Sequence, residues 1–138
     1  MSTDDPTLVI DASAALHVAL ASDATPALDR YQLVAPSLFL SERTSALAAA
    51  AFRHNIPEQA LLNAFERLEA MTVSVIDGGH DQRREALMLA QSLGWAKSYD
   101  AEYVVLAQHH ACPLLTTDER LMRGAGHLVE MLDPRAFG

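Results

Sequence analysis

Apolar residues along the chain come in two textures. Short dense runs at Thr7–Ile10, Leu33–Ala35, Val73–Ile76 and Pro113–Thr116 are too brief for helices and suit strands buried in a sheet. His127–Leu132 reads as a last, edge strand. Between these runs lie longer stretches suited to helices, many with Ala and Leu on one face. They are Ser13–Ala21, Pro26–Tyr31 after a break at Asp23–Thr25, Ser37–His54, Pro57–Ala70, His80–Leu93, Ser98–His110 and Asp118–Arg123. Strands separated by helices need crossover connections, which pair them in parallel. The pattern predicts an α/β fold, an α/β/α sandwich around a mostly parallel sheet of about five strands. No repeat, linker or low-complexity stretch divides it, so residues 1–138 are expected to form a single domain.

In such a sheet, ligands collect beyond the carboxyl ends of the strands. Asp11 stands there, directly after Leu8-Val9-Ile10, and also suits the cap of the following helix. Asp118 follows Leu114-Leu115-Thr116, and Thr116 with Glu119 reads as a capping box in which Thr116 is the cap. Glu42 has the helical neighbours Leu38, Phe39, Ser45, Ala46 and Ala49, an apolar or small face expected to pack. An acid on such a face needs a cation or hydrogen bonds. Asp100 suits the positive end of its helix but shares a face with Tyr103, Val104 and Ala107. Converging carboxylates repel one another and hold protons unless a cation offsets them. Oxygen ligands suit Mg²⁺ or Mn²⁺ better than zinc or copper. Such an ion lowers the pKa of bound water and stabilises a leaving oxygen in phosphodiester attack. Ser13 and Thr116 are placed to hydrogen-bond the acids or water.

Composition narrows the setting. Half of the 138 residues are apolar and 20% are charged, which is globular. Cys112 is the only cysteine, so no internal disulfide or four-cysteine zinc site can form, and a reducing cytoplasm is expected. The opening Met1-Ser2-Thr3-Asp4-Asp5-Pro6 is acidic where a signal peptide would be basic, and no run is long and apolar enough for a membrane span. The net charge of −8 argues against indiscriminate coating of nucleic acid. An RNA-binding surface would need a local basic patch, for which Arg43, Arg53, Arg120 and Arg123 lie nearest the acids.

Four segments stand in order along the chain: Val9-Ile10-Asp11-Ala12-Ser13, Ala35–Glu42, Leu93–Tyr103 around Asp100, and Leu114–Leu121 with Thr116 and Asp118. Together they resemble the motifs of PIN-domain ribonucleases, most closely the VapC-type toxins of bacterial toxin–antitoxin pairs, over nearly the whole chain. The resemblance implies that Asp11, Glu42, Asp100 and Asp118 are metal-binding and catalytic, with Ser13 and Thr116 supporting them. It implies a Mg²⁺- or Mn²⁺-dependent endoribonuclease, commonly a homodimer, inhibited by a small cognate antitoxin. Ser45 departs from the pattern, since relatives often carry Asn three residues after the second acid. Apolar helix residues Leu16, Val18, Leu20, Leu61, Leu62 and Phe65 are candidates for the dimer and antitoxin surfaces.

Other features read as structure. The adjacent His109-His110 suit a helix C-terminus, Cys112 and Trp95 suit packing, Arg83-Arg84 a solvated face, and Gly78-Gly79 and Gly124-Ala125-Gly126 turns. Two alternatives stand beside the nuclease. A haloacid-dehalogenase-type phosphatase also opens with Asp after its first strand, but needs a second Asp where Ser13 stands. A degenerate PIN domain that only binds RNA or protein would be marked by loss of one or more acids.

Overall fold

A computed structural model describes residues 4–21 and 26–137. Its sheet has five strands, all parallel, in the order β3-β2-β1-β4-β5. These are β1 (Thr7–Ile10), β2 (Gln32–Pro36), β3 (Ser74–Ile76), β4 (Leu114–Leu115) and β5 (Met131–Leu132). The helices are α1 (Ala12–Leu20), α2 (Phe39–His54), α3 (Glu58–Ala70), α4 (Gly79–Ser92), α5 (Tyr99–His109) and α6 (Glu119–Ala125). Leu8, Val9, Ile10, Ala35, Leu114 and Leu115 have no exposed surface, as strands covered on both faces require.

From β1 the chain moves outward to β2 and β3, then returns past β1 to β4 and β5. Right-handed crossovers therefore put α1–α3 on one face of the sheet and α4–α6 on the other. Ala15, Phe39, Leu47 and Leu68 of α1–α3 and Val104, Leu106 and Leu121 of α5 and α6 are buried in one cluster with the residues of β1, β2 and β4. The direction of travel reverses between β1 and β4, so this is the sheet's switch point.

Several boundaries differ from expectation, for physical reasons. Pro26–Arg30 is a 3-10 helix rather than an α-helix, and the expected break at Asp23–Thr25 lies outside the described residues. The last strand keeps only Met131–Leu132, because the Leu128 and Val129 amides both donate to the Ala125 carbonyl and close a turn. Gly124 and Ala125 complete α6 instead of forming a turn, and Gly126 caps it. The cap of α6 is Asp118, whose Oδ1 accepts from the Arg120 and Leu121 amides, and not Thr116, which still belongs to the sheet through its amide bond to Leu132. Among the described residues no helix is long and apolar enough to cross a membrane.

Candidate functional site

The carboxyl ends of β1 and β4 deliver Asp11 and Thr116 side by side, because Ile10 pairs with Leu115 and the Asp11 amide donates to the Leu115 carbonyl at 3.1 Å. Asp11 is buried and caps α1 by accepting from the Ala14 amide at 2.9 Å. Ser13 Oγ donates to the same carboxylate oxygen at 2.7 Å, and Thr116 Oγ1 donates to the other. Backbone amides fix the direction of both hydroxyls. Thr117 N–H donates to Ser13 Oγ at 3.1 Å and Asp118 N–H to Thr116 Oγ1 at 3.0 Å, so each hydroxyl proton is left for Asp11.

Glu42 and Asp100 come from the first turns of α2 and α5, on opposite faces of the sheet. The Tyr103 hydroxyl, one turn on from Asp100, donates to Glu42 Oε1 at 2.7 Å. All four acids line one open cleft of about 280 Å³, together with Ser13, Ser45, Ala46, Ala49 and Tyr103; among the described residues no basic side chain lines it. The face of α2 around Glu42 was expected to pack. Instead Ala46 and Ala49 stay half-buried and Ser45 exposed, and the packed face is Phe39, Arg43, Leu47 and Ala50. Small residues there make room for the cleft.

Electrostatics follow from this enclosure. Burial pushes Asp11 up from 3.8 to about 6, against the pull of its hydrogen bonds to Thr116, Ala14 and Ser13 and with a further push from Asp100. Glu42 is raised by burial and by Asp100 and Asp11, while the Tyr103 bond opposes the rise. Asp100 is raised by burial and by Asp118, with Arg120 opposing. A family profile described as PIN domain matches residues 8–126, which contain all four acids. The chain belongs to the PIN domain family.

PIN domains are generally nucleases. Solved structures of the same fold include the protein PAE2754 from Pyrobaculum aerophilum, with TM-score 0.70 and 20% identity over 95% of this chain and 92% of that one. FitAcB from Neisseria gonorrhoeae follows with TM-score 0.60 and 14% identity, over 93% of this chain and 98% of the other. A toxin–antitoxin complex from Klebsiella pneumoniae has TM-score 0.57 and 19% identity, over 92% and 97%. No curated protein sequence is significantly similar to the chain.

The cleft of this PIN domain offers oxygen atoms only, with no thiolate or imidazole among its lining residues. That donor set fits a hard divalent cation, and the raised proton affinities of Asp11, Glu42 and Asp100 are what such a charge would relieve. Among the described residues no three His, Cys, Asp or Glu side chains stand as a ready-made cage. An ion such as Mg²⁺, which keeps several waters and takes few carboxylates, suits an open cleft of this kind.

Two residues were misjudged from sequence. Tyr103 looked like core, and its ring is (1% exposed), but its oxygen reaches the cleft. Arg43, expected near RNA, points inward: it donates to the Leu68 carbonyl at 3.3 Å and Glu69 at 2.9 Å, and its guanidinium lies 5.3 Å over the Phe39 ring. A buried tyrosine one helical turn from an acid is a readable signal for such a contact; the inward arginine left none.

Proposed function

We propose that this PIN domain is a Mg²⁺- or Mn²⁺-dependent endoribonuclease, the toxin of a cytoplasmic toxin–antitoxin pair, working as one domain over residues 1–138. The observation that carries the reading is the convergence of Asp11, Glu42, Asp100 and Asp118 on one cleft that no base lines. These acids would hold the ion, which supplies water activation and charge stabilisation at the phosphodiester. The rest is done by the chain. Ser13 and Thr116 hold Asp11 in one orientation from two sides. The α6 amides hold Asp118, and the Tyr103 hydroxyl holds Glu42. Positions fixed in this way are what in-line attack on phosphorus needs.

Likeness in fold to a Klebsiella toxin–antitoxin complex supports the toxin reading. A homodimer and a helical antitoxin are proposed from the apolar side chains that remain outside. Leu16, Val18, Leu61 and Phe65 pack onto the core, but Leu20 and Leu62 are exposed, and Phe52 at the end of α2 is 88% exposed. Purified protein is expected to cut RNA with Mg²⁺ or Mn²⁺, to stop in EDTA and to recover with added Mn²⁺. Cleavage undiminished by EDTA would sink the reading.

A further inference from the structure

A net charge of −8 makes the placement of each base decisive for a polyanionic substrate. Several bases are already engaged. Arg43 is held by Glu69, Arg83 by Asp77, Arg123 by Glu119 and Arg135 by Asp133, while Arg67 donates to the Ala19 carbonyl. Lys97 and Arg120 are exposed and join no ion pair with another described residue. Both line a second cavity, of about 590 Å³, between the loop entering α5 and the first turn of α6. Asp100 belongs to this cavity and to the acidic cleft, so the two are continuous across one side chain.

The cavity has a built wall. Gly94 adopts a left-handed conformation (φ +73°) after α4, and the Trp95 amide then turns back to the Ala90 carbonyl at 2.8 Å. The Trp95 indole meets α6 at Gly124, where a Cβ would come within 2.9 Å of the ring. Trp95, packed against the core, is thus a fixed aromatic surface beside two exposed cations. Cations that track a backbone, next to an aromatic face, are the usual makings of a single-strand groove.

We propose that this groove binds the stretch of single-stranded nucleic acid next to the bond being cut, with Lys97 and Arg120 on its phosphates and Trp95 against a base. The proposal rests on the nuclease reading above. It also accounts for how an acidic cleft keeps a polyanion: attraction sits beside the acids, on the far side of Asp100.

The test is fluorescence anisotropy with a short labelled single-stranded RNA over a salt series, in Ca²⁺. For Lys97→Gln/Arg120→Gln, Kd is expected to rise at least about tenfold, and the slope of log Kd against log salt to fall by about 1.4, for two phosphate contacts on a single strand. Melting temperature is retained. Arg53→Gln/Arg84→Gln, which removes two bases that join no ion pair with another described residue and do not line the groove, keeps the parent's slope. A groove variant with the parent's Kd and slope, while the parent binds and cuts RNA, overturns the groove and leaves the nuclease reading standing. Equal loss in both double variants overturns it as well, since attraction is then diffuse. A parent that neither binds nor cuts RNA overturns both readings.

Discussion

Asp11 follows β1 directly and Asp118 lies between β4 and α6 as that helix's cap, whereas Glu42 and Asp100 come from the first turns of helices, and the two pairs are held differently. Asp11 has three donors on its two oxygens and Asp118 has two helix amides on one of its own. Glu42 has a single phenol donor, and among the described residues none donates to the Asp100 side chain. The sheet side is therefore set before any ligand arrives. The helix side has lone pairs and freedom to spare, so a ligand can draw it in. The difference teaches where rigidity comes from: amide and hydroxyl donors at the strand-to-helix junctions fix Asp11 and Asp118, and a helix turn carries its side chain on longer leverage.

The sharpest way to break this comparison is Asp11→Asn, which is expected to lower metal-supported RNA cleavage by at least about a hundredfold while leaving the fold intact. The same variant tests the electrostatics. In the metal-free parent, the folded-state pKa of Asp11 is raised from 3.8 to about 6. Its contribution to stability is thus fully present below 3.8 and lost as pH rises through 6, by about 3 kcal/mol at most. Melting in EDTA should fall across that window for the parent and fall less steeply for Asp11→Asn, in which Glu42 and Asp100 keep their own raised values. A variant that instead melts far below the parent at pH 8 assigns Asp11 to capping alone.

Thr116→Val weakens the strand side by one hydroxyl. Mn²⁺ affinity should fall roughly 10–100-fold in a titration followed by electron paramagnetic resonance, and stability should drop by about 1–3 kcal/mol. Tyr103→Phe weakens the helix side, where one bond is all that Glu42 has. A smaller loss is expected, about threefold to tenfold in Mn²⁺ affinity, with melting shifted by about 1 kcal/mol or less. Equal losses in the two variants would erase the distinction between the sides. Smallest of all, Glu119→Gln removes only an exposed, 4.0 Å pair with Arg123, and both melting and cleavage should stay within about 0.5 kcal/mol of the parent.

Much of this was legible in the order of residues. The central strands β1 and β4 are dense apolar runs because both faces are covered, and each run stops at the residue that leaves the sheet. Asp11 could therefore be placed at a strand end with no coordinates. β5 was not so clear: Leu128 and Val129 look like ladder residues but bury themselves in a turn, and apolar content alone does not separate the two. Thr116 and Asp118 are both good caps, and only the amide of Thr116 bonding to Leu132 shows that the helix has not yet begun. The Tyr103–Glu42 contact spans two faces of the sheet and 61 positions in the chain, beyond what helical spacing reports.

Thr116 lies 105 residues after Asp11. At a synthesis rate of about 5–20 residues per second, β1 and α1 exist for at least about five seconds before the hydroxyl that completes the Asp11 pocket has been made. Closing so long a loop is slow beside the growth of local helices. During that interval Asp11 can accept from Ala14 and Ser13, yet neither Thr116 nor Asp118 faces it. The acidic centre thus matures late, when β4 inserts beside β1, and a chain still emerging from the ribosome carries its first acid long before it carries a working pocket.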